Sequence, residues 1–273
     1  MMSDLIHIAL AQIPFRVGDI QANIDTIINS AIYARDQLQA DLIVFPELII
    51  CGYPAEDLLF RRDFIQQANR AIDLVAETVT DIGLVIGYPE FDGTHLYNSA
   101  AVLYQGAMLA NYRKRILPNY GVFDEQRYFT AGNDLCLFEF HGTYFGLTIC
   151  EDVWQHGIIL QNRQAGAEIL LSLNASPFQS GKMLQREQLI REQSSQAAIP
   201  IVYVNQIGGQ DELVFDGASF VTNKQGEIIF RAAEFQSQIQ VIPFLSTQPI
   251  PQNCAPIYQS IASDYQALVL GIR

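Results

Sequence analysis

Three residues of this 273-residue chain could share one piece of chemistry: Glu47 closing "DLIVFPE", Lys114 closing "AMLANYRK" and Cys150 closing "TYFGLTIC". Each stands where an apolar, β-rich run stops. A thiol has a reference pKa of about 8.5, so only a few per cent is thiolate at neutral pH. A carboxylate beside it takes the proton as the sulfur attacks a carbonyl. A fixed ammonium then stabilises the oxyanion, helped by a backbone N–H directly after the nucleophile, here that of Glu151. Taken by type alone, each residue also has a plainer reading. Cys150 is a small buried hydrophobe, Glu47 a solvated strand end, and Lys114 part of the basic run "RKR". Cys51 is a second thiol, flanked by Gly and Pro, with no partner chemistry in its surroundings.

For the three to meet, the strands ahead of them must end on one rim, since ligands gather at the carboxyl ends of strands in open α/β sheets. That expectation places the three strands side by side and parallel. The pattern supports a strand over 5–13, Asp19 as a helix cap, and an amphipathic helix from Ile20 with Ile24, Ile27, Ile28, Ala31, Ile32 and Leu38 on one face. "DLIVFPE" (41–47) reads as a strand covered on both faces. Helical spacing returns over 63–79, and another strand follows over 83–89. A hairpin over 95–114 turns at Gln105-Gly106, and a polar, aromatic loop fills 115–134. A second hairpin (135–150) turns at His141-Gly142. Beyond it come a helix near 156–165, a strand over 168–174, a helix over 182–198, a strand over 199–206 and two β-rich runs over 217–232. The last thirty residues, with Pro249, Pro251 and Pro256, read as an irregular strap. Hairpins mixed with strand–helix units argue against a doubly wound parallel sheet. They predict an α/β protein in which two mixed sheets pack face to face with helices outside.

Composition narrows the partners. Hydrophobic residues make up 49%, enough for a sizeable core. A net charge of −13 makes nucleic acid and anionic membrane surfaces poor partners. No apolar run approaches the ~20 residues of a spanning helix, and "MMSDLIHIALAQ" carries no basic region ahead of an apolar one. The four cysteines (Cys51, Cys136, Cys150, Cys254) have no metal-ligand spacing and are expected to be reduced thiols. A cytoplasmic globular protein is the expectation.

The motifs go further. "FPELIICGYPAEDLL" (45–59), "YRKRILPNYGVFDEQRYF" (112–129) and "LTICEDVW" (147–154) resemble the three catalytic blocks of the nitrilase (carbon–nitrogen hydrolase) superfamily. The resemblance implies a four-layer α-β-β-α sandwich and a Glu-Lys-Cys catalytic triad at Glu47, Lys114 and Cys150. Together with "NASPFQSGK" (174–182) and "NQIGGQDELVFDGASF" (205–220), the blocks look most like the glutaminase domains of glutamine-dependent NAD+ synthetases. That likeness implies hydrolysis of the glutamine side-chain amide through a γ-glutamyl thioester on Cys150. The ammonia released would amidate adenylated nicotinic acid adenine dinucleotide.

Further roles carry over residue by residue. Glu125 matches the superfamily's second glutamate, which supports the lysine. Tyr120 matches a substrate contact, and Glu151 the acid that meets the α-amino group of glutamine. Ser176 and Lys182 match the part of the pocket that meets the α-carboxylate. Some members carry Arg where Lys182 stands, and lysine binds a carboxylate as a point charge and not as a fork. Ser176 as a helix cap and Lys182 as a solvated first-turn residue are the plainer alternatives. No cofactor or metal is implied for the glutaminase reaction. ATP and Mg would belong to a synthetase domain, whose "SGGIDS"-type pyrophosphate loop is missing here, since Gly208-Gly209 lacks the residues that should follow. The expected division is 1–245 as the carbon–nitrogen hydrolase domain and 246–273 as a strap toward that absent domain. Homo-oligomers are common in the superfamily. A stand-alone amidase or carbamoylase of the same superfamily is the alternative function.

Overall fold

The computed structural model of the chain describes residues 5–272. The first half runs β1 (Leu5–Gln12), α1 (Ile20–Asp36), β2 (Leu42–Val44), α2 (Arg62–Thr78), β3 (Gly83–Phe91), β4 (Leu96–Tyr104) and β5 (Ala107–Arg113). Next come β6 (Leu137–Phe140), β7 (Thr143–Ile149), α3 (Ile158–Gln164), β8 (Ile169–Asn174), α4 (Lys182–Ala197) and β9 (Ile201–Asn205). The remainder is β10 (Ile207–Gln210), β11 (Leu213–Asp216), β12 (Phe220–Thr222), β13 (Ile228–Arg231), β14 (Gln238–Leu245), β15 (Gln248–Pro249) and α5 (Ser260–Ile272).

Alternation along these strands decides the layers. In β1 and β2, Ile6, Ile8, Leu10, Leu42 and Val44 enter one apolar cluster while Ala9, Ala11 and Ile43 enter another. Strands with both faces apolar must be covered on both sides. One side is met by a second sheet and the other by α1 and α2. The first sheet has seven strands in the order β15-β14-β1-β2-β3-β4-β5, and the second six in the order β13-β12-β9-β8-β7-β6. Phe145, Leu147 and Ile149 of β7, with Leu171 and Leu173 of β8, meet Leu42, Val44 and Val102 between the sheets. The outer face of the second sheet packs Leu170, Ile201 and Tyr203 under Ile159 and Ile190 of the helices α3 and α4. The result is the expected four-layer sandwich. Among the described residues no helix is long and apolar enough to cross a membrane.

Three local readings change. The strand leading to Glu47 ends at Val44, so Glu47 lies in the turn beyond it. The three strands are also not parallel neighbours: β2 and β5 share a sheet but are separated by β3 and β4, and β7 belongs to the other sheet. Since β2 is parallel to β3, and β4 is antiparallel to both β3 and β5, the strands β2 and β5 still point the same way. Thirdly, the end of the chain is not irregular throughout. Past Pro256 it forms α5, which buries Ser263 and Ala267. This helix lies against the β10–β11 hairpin so closely that a Cβ on Gly209 would stand 3.4 Å from the Gly271 Cα.

Candidate active site

The turn after β2 is shaped by a glycine. A Cβ at Gly87 of β3 would fall 2.4 Å from the Leu48 nitrogen and 2.8 Å from the Pro46 oxygen, so only glycine lets the Glu47 turn lie on that strand. Glu47 is thereby fully buried. Its Oε1 accepts from Lys114 Nζ at 2.7 Å and from Asn98 Nδ2 at 2.8 Å, and its Oε2 accepts from the Ala175 N–H at 3.0 Å. Ala175 follows β8, so the carboxylate joins the two sheets.

Lys114 follows β5 and is 1% exposed. Its N–H donates to the Asn98 carbonyl at 2.8 Å, which continues the β4–β5 pairing by one residue and aims the side chain inward. Besides Glu47, its ammonium donates to both Glu125 oxygens at 2.8 Å. Burial works against the charge, but Glu125 and Glu47 outweigh it and hold the Lys114 ammonium well above its usual range. Tyr53 donates its hydroxyl to Glu125 Oε1 at 3.0 Å. Tyr53 and Asn98 escaped the sequence reading because neither a tyrosine after Gly52 nor an asparagine inside a strand carries a signal of its own.

Cys150 opens a single 3₁₀ turn, Cys150–Trp154, directly after β7. Its φ is +43°, the left-handed region that non-glycine residues rarely occupy, so backbone strain is stored at the thiol. The turn is held by Asp152, fully buried, which accepts from the N–H groups of Ile149 (2.9 Å), Arg115 (3.1 Å) and Ile116 (2.9 Å) and from the Tyr112 hydroxyl (2.8 Å). One carboxylate thus fastens the Cys150 turn to the loop after Lys114. The sequence reading gave Asp152 no role. Burial pushes the Cys150 thiol well above its ordinary value, Glu47 adds to this, and Lys114 opposes it. At rest the sulfur is a neutral thiol within the field of Glu47, Lys114 and Glu125. Cys51, by contrast, is fully buried and donates to the carbonyls of Leu48 and Gly52. Burial raises its pKa too, and it faces no base.

Burial pushes the Glu125 carboxyl up to about 7, against the pull of Lys114 and with the help of Glu47. A carboxyl that holds its proton more tightly folded than unfolded makes stability fall as pH rises, here from the ordinary 4.5 to about 7. Glu125→Gln cannot ionise and is expected to lose that part of the slope. Melting temperatures of wild type and variant across this interval test it, and parallel profiles would contradict the assignment.

The expected substrate contacts surround one cavity of about 440 Å³ that opens onto Cys150. Tyr120, Glu151, Ser176 and Lys182 all line it. Tyr120 donates its hydroxyl to Glu151, 3.0 Å from each carboxylate oxygen. Ser176 is 4% exposed and does not cap α4, which begins behind Gly181; its N–H donates to Asn205 Oδ1 at 2.9 Å. Trp154, Phe123, Phe178 and Glu212 complete the walls, and none of them was singled out from the sequence. Glu212 and Leu213 come from the β10–β11 hairpin, whose "GGQDEL" turn is too short and glycine-rich to show alternation. A larger depression of about 690 Å³ near Phe60, Phe91 and Tyr128 is lined by no thiol and no carboxylate, so it is not where this chemistry resides. Among the described residues no group of three or more His, Cys, Asp or Glu side chains is placed to hold a metal ion.

The carbon–nitrogen hydrolase family pattern matches residues 7–246. The glutamine-dependent NAD(+) synthetase of Acinetobacter baylyi is 42% identical over 269 residues, covering 97% of this chain and 49% of that protein. The corresponding enzyme of Xanthomonas campestris pv. campestris is 44% identical over 241 residues, covering 88% and 44%. The chain therefore spans about half the length of the curated relatives it matches. Among solved structures, the glutamine-dependent NAD+ synthetase of Acinetobacter baumannii bound to ADP superposes with a TM-score of 0.94 at 41% identity, over 98% of this chain and 51% of that one. A variant of the amidase from Nesterenkonia sp. AN1, carrying the acetamide moiety of fluoroacetamide on its active-site cysteine, gives 0.80 at 25% identity over 89% and 91%.

Proposed function

The chain belongs to the carbon–nitrogen hydrolase family, and from that premise we propose that it hydrolyses the side-chain amide of L-glutamine and supplies the ammonia to NAD+ synthesis. The observation that carries the chemistry is the buried ammonium of Lys114, shared between Glu47 and Glu125 beside the Cys150 thiol. In this reading Glu47 takes the thiol proton as Cys150 Sγ bonds to the amide carbon. Lys114 and the Glu151 N–H stabilise the oxyanion. As the oxyanion collapses, the carbon–nitrogen bond breaks and Glu47 passes its proton to the departing nitrogen, which leaves as ammonia. Water, deprotonated by Glu47, then attacks the thioester and releases glutamate and the thiol.

Recognition follows from the cavity. Glu151, oriented by Tyr120, meets the α-ammonium of glutamine, and Ser176 and Lys182 meet its α-carboxylate. Residues 1–245 form the hydrolase unit. Residues 246–273 lead toward the second half that the curated relatives possess, where ATP and Mg would act. The protein works in the cytoplasm as a homo-oligomer, with its thiols reduced.

A competition assay tests the substrate. L-Glutamine, acetamide and N-carbamoyl amino acids are offered to the same preparation, and glutamine is expected to be turned over with the highest kcat/KM. Preference for a carbamoyl amino acid or a simple amide would replace this reading with the stand-alone amidase or carbamoylase.

A further inference from the structure

Lys182 stands where local rules disfavour it. It is the first residue of α4, and the first N–H groups of a helix lack intrahelical partners and carry partial positive charge. The first turn holds no acidic residue to compensate. Among the described residues no carboxylate pairs with its ammonium. Glu151 and Glu212 line the same cavity, yet neither reaches it. Its neighbour is instead the face of Trp154, with Nζ 4.1 Å from the ring centroid.

The choice of lysine is itself informative. The chain has thirteen arginines and only three lysines, at 114, 182 and 224. Every ion pair of a lysine or arginine among the described residues uses arginine except those of Lys114. Two of the three lysines therefore lie in this site. A compact ammonium over an indole is attracted to the ring without being neutralised, whereas a carboxylate neighbour would have consumed the charge.

We propose that Trp154 is a specificity-determining positioning residue: its ring holds the Lys182 ammonium over the cavity with its charge unspent, ready for the α-carboxylate of the amino-acid substrate. The proposal rests on the glutaminase reading and deepens it. It accounts for a half-buried indole in the cavity wall and for a cation placed against the helix dipole. An amide that lacks the carboxylate gains nothing from this arrangement.

The test compares L-glutamine with 4-aminobutanamide, the same amide and amine without the carboxylate. Trp154→Leu is expected to raise the KM for glutamine about tenfold with kcat little changed, between the sizes of an exposed and a desolvated cation–π contact. The loss in kcat/KM on glutamine should exceed that on 4-aminobutanamide by a similar factor. Trp154→Phe keeps an aromatic face and should recover most of it. In a Lys182→Met background, adding Trp154→Leu should cause no further loss on glutamine. Equal losses on both substrates, or a full additional loss in the Lys182→Met background, would make the indole a mere wall and overturn the proposal. Wild type that did not prefer glutamine to 4-aminobutanamide would refute the glutaminase reading first, and the proposal with it. That outcome is visible before any variant is made.

Discussion

Replacing Cys150 by alanine is expected to lower amide turnover by about 10⁴-fold or more, because no other group near Glu47 and Lys114 can form the acyl bond. The fold should survive. Only a sulfur is removed, and the anchor of the turn is Asp152, whose four donors come from residues 112, 115, 116 and 149. A glutamine-mimicking diazo-ketone should alkylate the wild type once, and the labelled peptide should contain residue 150. Cys51 shows why the assignment is selective: it is a fully buried thiol away from the cavity, it spends its hydrogen on two carbonyls and it faces no base. Labelling at Cys51, or turnover persisting in the alanine variant, would remove Cys150 from the mechanism.

Lys114→Met carries the second large effect, and it reaches stability as well as rate. The lysine lies between two buried carboxyl groups, 2.7 Å from Glu47 and 2.8 Å from Glu125. A methionine of similar length leaves those carboxyls together without a cation. Breaking a buried pair in this way typically costs about 3–5 kcal/mol. Loss of the oxyanion partner adds a fall of about 10²–10³-fold in turnover. The pH dependence gives the sign. With the cation gone, the chief opposition to the burial that already lifts Glu125 is lost, so that carboxyl holds its proton more tightly still in the folded chain, and the variant's deficit should shrink as pH falls. Urea melts at neutral pH and near pH 5 would show it. A deficit independent of pH would mean that lost packing, and not stranded charge, is responsible.

Glu47, Lys114, Glu125 and Cys150 were legible from the sequence, but their route to the centre was not, nor were Asn98, Tyr53 and Asp152 around them. Glu47, Lys114 and Cys150 each follow a strand, and the hairpin turns at Gln105-Gly106 and His141-Gly142 fall where turn chemistry puts them. Helix α1 starts behind Asp19 as a cap, with Oδ1 accepting from the Ala22 N–H at 3.2 Å. What period and turn signals do not encode is which strand lies beside which. A parallel rim was therefore expected where the structure uses two sheets facing each other. The contacts that close the centre are long in sequence: Ala175 to Glu47 spans 128 residues and Tyr53 to Glu125 spans 72. Gly87 is another such case. Its glycine is demanded by a turn forty residues earlier, and in the sequence it is one more small residue in a strand. The hairpin of β10 and β11 and the helix α5 went unread because a short glycine-rich ladder and a helix with apolar residues on most sides lack a clear period.

The bond from Glu47 to the Ala175 N–H ties the turn behind one sheet to the strand end of the other. The groups gathered at the proposed site are therefore rivets between the two slabs of the sandwich, and no single slab carries a complete set. Slippage of one slab over the other, even by a single residue, would disperse the base and the thiol before any helix came loose. Heat inactivation is therefore expected to follow loss of the packing between the two sheets.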